Sequence, residues 1–532
     1  MEDLYNKASL VLTPQMVEAG KVYSMKPEDR KGDFTFSRST AATRVNASGN
    51  IEKETQNLLR QSNDFNNSAW LNYNTTRTSG QAGYDGSSDA WLFEKSAANG
   101  RIVQTLSQSG VQAFSLYAKA GSLNWLKLQV YDGTSLYYAH FDLANGVLGS
   151  GVGLIDRSIT SVGGGWYRCS ISISINNQLV YIYPADGNND TSGTSGNIYI
   201  QDAQLEQGLV ARDYIETTTT AIYGGITDNV PRLDYTDSSC PALLLEPQRT
   251  NVLTHSEWIG GWSPVNDTTI DGPQEFTLGS TGARIQAGSI GSPSGNFVFY
   301  AVFDSADIGK TIRLSYYDAT AGGWNFGSDI TIDSNGRAER LISTGSNVIG
   351  NVAFYGTSTS QSFTLKYCQF EEGSYATSYI PTYGSAVTRN TDAASKTGAS
   401  DLIGQTEGTI FFEWSKDVLN FGSAYSYFQI GSYPSYVGIY IQASNCVCEV
   451  VNSGVVQAAI TKSSVSVGTH KAAVAYANND IAFYFDGVQV GVDSLATIPS
   501  TSAIYLNSNN GIAEKINQSL IFKTRLTNEE LA

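Results

Sequence analysis

In KAAVAYANNDIAFYFDGVQVGVD, residues 471–493, apolar and polar side chains alternate on both sides of Asp486-Gly487. A period of two places successive side chains on opposite faces of an extended chain, so each half reads as a half-buried strand. Asp-Gly tolerates the positive φ that a two-residue reversal demands, and the stretch is predicted as a β-hairpin. The alternation recurs outward along the chain, at QAFSLYAKAG (112–121), YRCSISISI (167–175), NIYIQDAQLEQG (197–208), IRLSYYDA (312–319), SFTLKYCQFEEG (362–373) and YVGIYIQA (436–443). The chain is predicted all-β. Helix is expected only in short pieces, at the extreme C-terminus, where Thr527 and Glu530 have capping-box spacing, and at TPQMVEAG (13–20).

Composition agrees. At 532 residues the chain is long enough for about three or four domains of roughly 150 residues. Only 15% of it is charged, while Gly (52) and Tyr (31) are abundant, which excludes coiled coils and helix bundles. Its 49 acids against 33 bases give a net charge of -16, so neither nucleic acid nor an anionic membrane is an expected partner. No apolar run approaches the roughly 20 residues of a membrane span, and ASLVL from Ala8 is too short for a signal-peptide core; a soluble chain is expected. The five cysteines include no Cys-x-x-Cys, which argues against a disulfide framework or structural zinc. Cys446 and Cys448 share one face of a strand and are expected as buried thiols.

Two segments repeat an opening and a closing pattern. NLLRQSNDFNNSAW from Asn57 resembles NVLTHSEWIGGW from Asn251, and QLEQGLVARDYI from Gln204 matches QFEEGSYATSYI from Gln369 at Gln, Glu, Gly, Ala, Tyr and Ile. These are two copies of one module with different loop lengths, each with roughly eight strand-like runs, the content of a two-sheet jelly roll. The Thr-, Ser- and Gly-rich TYGSAVTRNTDAASKTGAS (382–400) then precedes a third unit that lacks both patterns.

FTFSRSTAATRVNASGNIE (34–52) followed by NVPRLDYTDSSCPALLLEPQRTNVL (229–253) resembles a signature of bacteriophage tail-fibre and virion-appendage proteins, in which the two pieces run on almost directly. Here the first module lies between them, as if inserted or duplicated. The jelly rolls, with GGWYRC at 164–169 in the first, resemble carbohydrate-binding modules of phage fibres. The C-terminal unit is similar to laminin-G-like, concanavalin-A-like sandwiches. The resemblance implies tandem jelly-roll β-sandwiches with a C-terminal concanavalin-A-like sandwich and a short N-terminal attachment segment. The expected division is 1–56 with 224–250 for virion attachment or assembly, 57–223 and 251–383 for the two jelly rolls, 384–400 as linker, and 401–532 as the terminal domain. It further implies a homotrimer made in the host cytoplasm and resident in the virion, with other virion proteins and host-surface or environmental glycans as partners.

Few residues suit catalysis. His140, His255 and His470 fall in three different modules, so no multi-His metal site or His-based triad forms within one. A non-enzymatic protein is expected. The alternatives are a polysaccharide depolymerase working through two carboxylates, and a purely structural virion decoration. Sugar binding needs aromatic rings for the apolar faces of pyranoses and amides or charges for their hydroxyls. The candidates are Asn124 with Trp125 in the first module, Trp324 with Asn325 in the second, and Tyr433 and Tyr436, alongside Tyr425 and Tyr427, in the terminal unit. Trp70 and Trp262 occupy matching places and are expected as shared anchors, and Trp166 as packing. Asp186, Asn188 and Asp190 have the alternating spacing that starts a calcium loop, without its distal Glu; structural calcium is the sole candidate cofactor.

Overall fold

The computed structural model describes all residues except 1, 289, 358–359, 417–424, 443 and 510–512; the side chains of 2–3, 177, 416, 425–427 and 507–509 are also left aside. The fold is almost all β. Asp480–Phe485 and Val488–Asp493 form the predicted hairpin, with Phe485 opposite Val488 and positive φ at both Asp486 and Gly487. The C-terminal helix Asn528–Leu531 starts from the expected Thr527/Glu530 capping box. TPQMVEAG is not helical. Val17–Glu18 instead turns through Ala19-Gly20, with Gly20 at φ +81°, to pair with Lys21–Val22; the early helix is Glu2–Lys7.

The terminal sandwich is assembled from distant parts of the chain. One sheet has the order Arg232–Asp234, Ala242–Leu245, Glu514–Phe522, Glu407–Lys416, Gly468–Ala477, Asp480–Phe485, Val488–Asp493, with Leu10–Leu12 also paired to Glu514–Phe522. The opposing sheet runs from Val17–Glu18 through Lys21–Val22, Phe34–Ser37, Ala393–Thr397, Ala503–Asn509 and Tyr425–Ser432 to Val455–Lys462. Leu10, Leu12, Phe34, Phe36, Leu243, Leu245 and Ala394 are buried in one core with Ile410, Phe428, Cys446 and Cys448. The expected division is corrected accordingly. Residues 1–56 with 224–250 are no free-standing segment, because their alternating apolar residues fill this core. Residues 384–400 are no linker either, since Val387–Arg389 pairs with Arg249–Asn251 and Ala393–Thr397 sits inside a sheet.

Each of the two related modules is a sandwich whose sheets share long strands. In the first, Arg101–Ala120 pairs with Trp166–Ala185 along nearly its whole length. One end of this ribbon continues into Leu71–Tyr73, Trp125–Tyr131, Leu136–Asp142 and Val147–Val152; the other continues into Asp156–Gly163, Gly196–Gln207, Ala90–Lys95 and Thr75–Gln81. The register shifts between Leu106 and Ser109, where the ribbon passes from one sheet to the other. In the second module Arg337–Tyr355 plays the same part, pairing first with Ser294–Phe303 and then with Thr311–Asp318 and Arg284–Gln286.

The repeated patterns are a clasp closing each module. The Asn57 amide donates to the carbonyls of Ala203 and Ile215, and its oxygen accepts from Leu59 N and Leu205 N; Asn251 does the same with Cys368, Ile380, Leu253 and Phe370. Gln204 accepts from Ile215 N and Gln369 from Ile380 N, while Tyr214 and Tyr379 bond Ser62 and Ser256. Trp70 and Trp262 are buried anchors whose indole N–H groups donate to Gln61 O and His255 O.

Arg38, Arg232, Arg389, Glu246 and Asp392 form a buried ion network between the second module and the terminal sandwich. Burial alone would raise the Glu246 pKa, but Arg389 and Arg232 hold it below its ordinary value. Deleting one member would strand a buried charge, at a cost of about 3–5 kcal/mol. The two halves of the interrupted signature meet here: Arg38 N donates to Asn229 Oδ1, Asn229 N to Arg38 O and Arg232 Nη1 to Thr43 O. The chain enters and leaves the first module through the paired strands Thr55–Asn57 and Ile222–Gly224.

Candidate functional site

In Trp125–Tyr131 the residues Leu126, Leu128 and Val130 are fully buried in the first module's core, so Trp125, Lys127, Gln129 and Tyr131 share the opposite face, where Gln129 is itself covered. Register carries this face across the sheet. Lys127 lies opposite Tyr183 on one side and His140 on the other, and Gln129 lies opposite Tyr181 and Tyr138. Arg101, one residue before the Ile102–Ile182 pair, holds its guanidinium 5.9 Å from the Tyr183 ring and 4.5 Å from that of Tyr73. Lys127 Nζ is 5.1 Å from the Tyr183 centroid and 4.5 Å from that of Tyr138. Two cations therefore flank one tyrosine, attracted by ring quadrupoles.

Among the described residues neither Arg101 nor Lys127 has a carboxylate partner; Arg101 donates to the Asn99 carbonyl. Burial lowers the pKa of the Lys127 ammonium. His140 is buried, and burial, then the neighbouring Lys127, push its pKa down to about 4, so the ring is neutral near pH 7. Neither ring nitrogen has a well-formed hydrogen bond. The nearby acids are engaged in their own loops: Asp142 accepts from Ala144 N, Asn145 N and the Asn145 amide, and Asp186 pairs with the buried Lys95.

The second module repeats the row. Arg284 and Arg313 both lie opposite Tyr355, as Arg101 and Lys127 flank Tyr183, with Ile285, Phe354 and Leu314 beneath them in the places of Ile102, Ile182 and Leu128. The Arg284 guanidinium is 5.6 Å from the Tyr355 centroid and 5.2 Å from the Trp324 ring. Trp324 and the exposed Phe326 pack against Tyr355 at 5.3 and 4.9 Å. Arg313 is paired with Asp329, so Arg284 is the cation of this row without a carboxylate partner among the described residues; its Nε donates to Gln286.

Trp125 lies on the first face. A Cβ on Gly149 would meet the Trp125 ring, Asn188 Oδ1 and His140, so two sequence candidates, one on a strand and one in the turn after Trp166–Ala185, converge there; Asn124 is exposed just before Trp125. Trp324 joins the second face, whereas its neighbour Asn325 donates to the Tyr316 hydroxyl and accepts from Arg340. Trp166 packs in a small cluster with Ala90 and Tyr117. Asp186, Asn188 and Asp190 turn to three different partners, Lys95, Ser150 and Ser192. Among the described residues no group of three or more His, Cys, Asp or Glu is arranged to hold a metal. Tyr433 is 77% exposed in the turn of the hairpin that Tyr425–Ser432 and Ser435–Gln442 form, and Tyr436 donates to Glu449. The side chains of Tyr425 and Tyr427 lie outside the described residues.

Arg101, Lys127, Tyr183, Arg284, Arg313 and Tyr355 are the residues that sequence reasoning missed. Their signal is present in both copies, as Arg-Ile at 101–102 and 284–285, Lys-Leu and Arg-Leu at 127–128 and 313–314, and Ile-Tyr and Phe-Tyr at 182–183 and 354–355. Aligning the copies strand by strand would have exposed it. A cleft of about 410 Å³ between the modules, lined by Lys53, Arg212, His255 and Tyr383, is a joint: Lys53 Nζ donates to Glu257 and to the Tyr383 hydroxyl.

Fold and faces together define a multi-module all-β chain in which two related sandwiches present cationic and aromatic sheet faces. No family model matches the chain, and no curated protein matches it. Among solved structures it is similar over 24% of its length to the CBM40 module of the Ruminococcus gnavus IT-sialidase, at 13% identity and a TM-score of 0.21, covering 82% of that chain. It is also similar over 27% of its length to the binding domain of botulinum neurotoxin DC, solved in complex with rat synaptotagmin II, at 16% identity and a TM-score of 0.24, covering 39% of that chain. A leech intramolecular trans-sialidase matches over 24% of this chain and 23% of its own, at 16% identity and a TM-score of 0.21.

Proposed function

We propose that this chain is a non-enzymatic adhesive component of a tailed-phage virion that binds glycans through its two related sandwiches. The observation that carries the reading is the same row built at corresponding positions of both modules, a buried tyrosine, Tyr183 or Tyr355, flanked by cations, with the accessible rings of Trp125 and Tyr138 on the first face and of Trp324 and Phe326 on the second. Rings suit the apolar faces of pyranoses, and Ser150 and Asn188 beside Trp125 suit their hydroxyls. Two modest sites per chain, multiplied in a homotrimer, give adhesion through avidity. The virion role rests on the resemblance carried by residues 34–52 and 229–253, whose halves lie side by side in the fold. Other virion proteins are the proposed attachment partners.

Full-length protein on a glycan array tests the reading. Binding is expected to weaken roughly tenfold or more in each of Trp125→Ala and Trp324→Ala. Absence of any saccharide binding sinks it, and release of reducing ends from a bound polysaccharide would replace adhesion with depolymerisation.

A further inference from the structure

Arg101 and Lys127 flank Tyr183 on one sheet face of a chain whose net charge is -16, and no carboxylate among the described residues neutralises either. Like charges on either side of one ring repel, and the tyrosine quadrupole compensates only in part. The protein has carboxylates at hand in Asp142 and Asp186 but holds them in neighbouring turns and on Lys95. The second module has the corresponding register, with Arg284 and Arg313 both opposite Tyr355, and of these Arg284 is the one without a carboxylate partner among the described residues. A face that carries unneutralised cations in an acidic protein is complementary to an anion brought by a ligand.

We infer that the faces recognise acidic saccharides, with a carboxylate or sulfate seated between Arg101 and Lys127 and the sugar ring lying toward Tyr138 and Trp125. Arg284 takes the anion at the second face, beside Trp324. The inference rests on the glycan-binding reading above and narrows it to a ligand class. Arg313 is already paired with Asp329, so the second face is the weaker of the two. A single-stranded polyanion such as nucleic acid is disfavoured by the surrounding negative charge, which a short anionic group on a neutral sugar chain escapes.

Calorimetric titration of the full chain provides the test, using an oligouronate, a sulfated dextran oligosaccharide, uncharged dextran of the same length, and polyglutamate as a polyanion without sugar. Oligouronate or sulfated dextran should bind at two sites per chain, more tightly than uncharged dextran, and less tightly as salt is raised; whichever is preferred identifies the anion. The double variant Arg101→Gln/Lys127→Gln should reduce the stoichiometry from two to one, adding Arg284→Gln should weaken the remaining site at least about tenfold, and Lys127→Arg should keep binding. Thermal unfolding of each variant separates loss of the site from loss of fold, and Lys127→Arg provides a charge-preserving control. Uncharged dextran bound as tightly as oligouronate, unaffected by these variants, overturns the acidic-ligand inference and leaves glycan binding standing. Polyglutamate bound equally well, or no saccharide bound at all, overturns both.

Discussion

His140 shows at the scale of one residue how the proposed face is built. Its pKa is 6.5 ordinarily and about 4 in the folded module, because burial and the adjacent Lys127 disfavour the imidazolium. Between those values the unfolded chain binds more protons than the folded one, so this residue costs stability as pH falls from 6.5 toward 4. His140→Gln removes the proton uptake. Its Tm should fall less than that of the parent between about pH 7 and pH 4.5; equal losses would show that the ring is not held neutral in the fold. Residues differ in how much of their role the sequence displays. Asn57, Gln204, Asn251 and Gln369 were visible as a repeated pattern, since the same hydrogen bonds demand the same side chains in each copy. Arg101, Lys127 and Tyr183 were not, because they come from three strands and meet only through register.

Among elements, the ribbon of Arg101–Ala120 and Trp166–Ala185 both forms the first module and joins it to the second. At the crossing between sheets Gly110 has φ +95°, and the neighbouring Val111 N donates to Tyr383 O at 2.6 Å. A Cβ on Gly110 would stand 1.8 Å from Tyr383 O, against backbone that has no side-chain freedom to yield. Gly133 has the same φ but open space around it. Gly110→Ala should therefore destabilise by at least about 2 kcal/mol and hasten proteolysis within 384–400, whereas Gly133→Ala carries only conformational strain of about 1 kcal/mol. Comparable denaturation midpoints for the two variants would refute the junction. Strands were the legible elements, because alternation and an Asp-Gly turn are local. The strand Ala393–Thr397 was hidden, since its small and polar residues have the composition of a linker and only Ala394 is fully buried.

For the whole molecule, the division into modules holds best where the core is local. The first module's core lies within residues 58–221, so a fragment of 57–223 should fold alone, giving a β-rich circular dichroism spectrum and a cooperative transition. A fragment of 401–532 should not. It lacks Leu10, Leu12, Phe34, Phe36, Leu243 and Leu245, buried apolar contacts worth on the order of 10 kcal/mol, and it exposes strand edges that other segments cover. A monomeric, cooperatively unfolding 401–532 would contradict the shared core. Nothing in sequence announced this assembly, because each contributing strand is short and its partner lies far along the chain. The repeat signal, by contrast, concerned stretches whose partners were close.

The pairing of Leu10–Leu12 with Ser519–Ile521 sets an order of events during synthesis. At about 5–20 residues per second, the early strand leaves the ribosome tens of seconds before its partner exists. Both jelly rolls have all their own strands by then, while Leu10, Leu12, Phe34 and Phe36 still wait with their apolar faces uncovered. The terminal sandwich is thus a seal closed last. A chain cut short between Arg389 and Glu514 keeps two formed modules and an open apolar edge, a difference that cellular proteolysis can read.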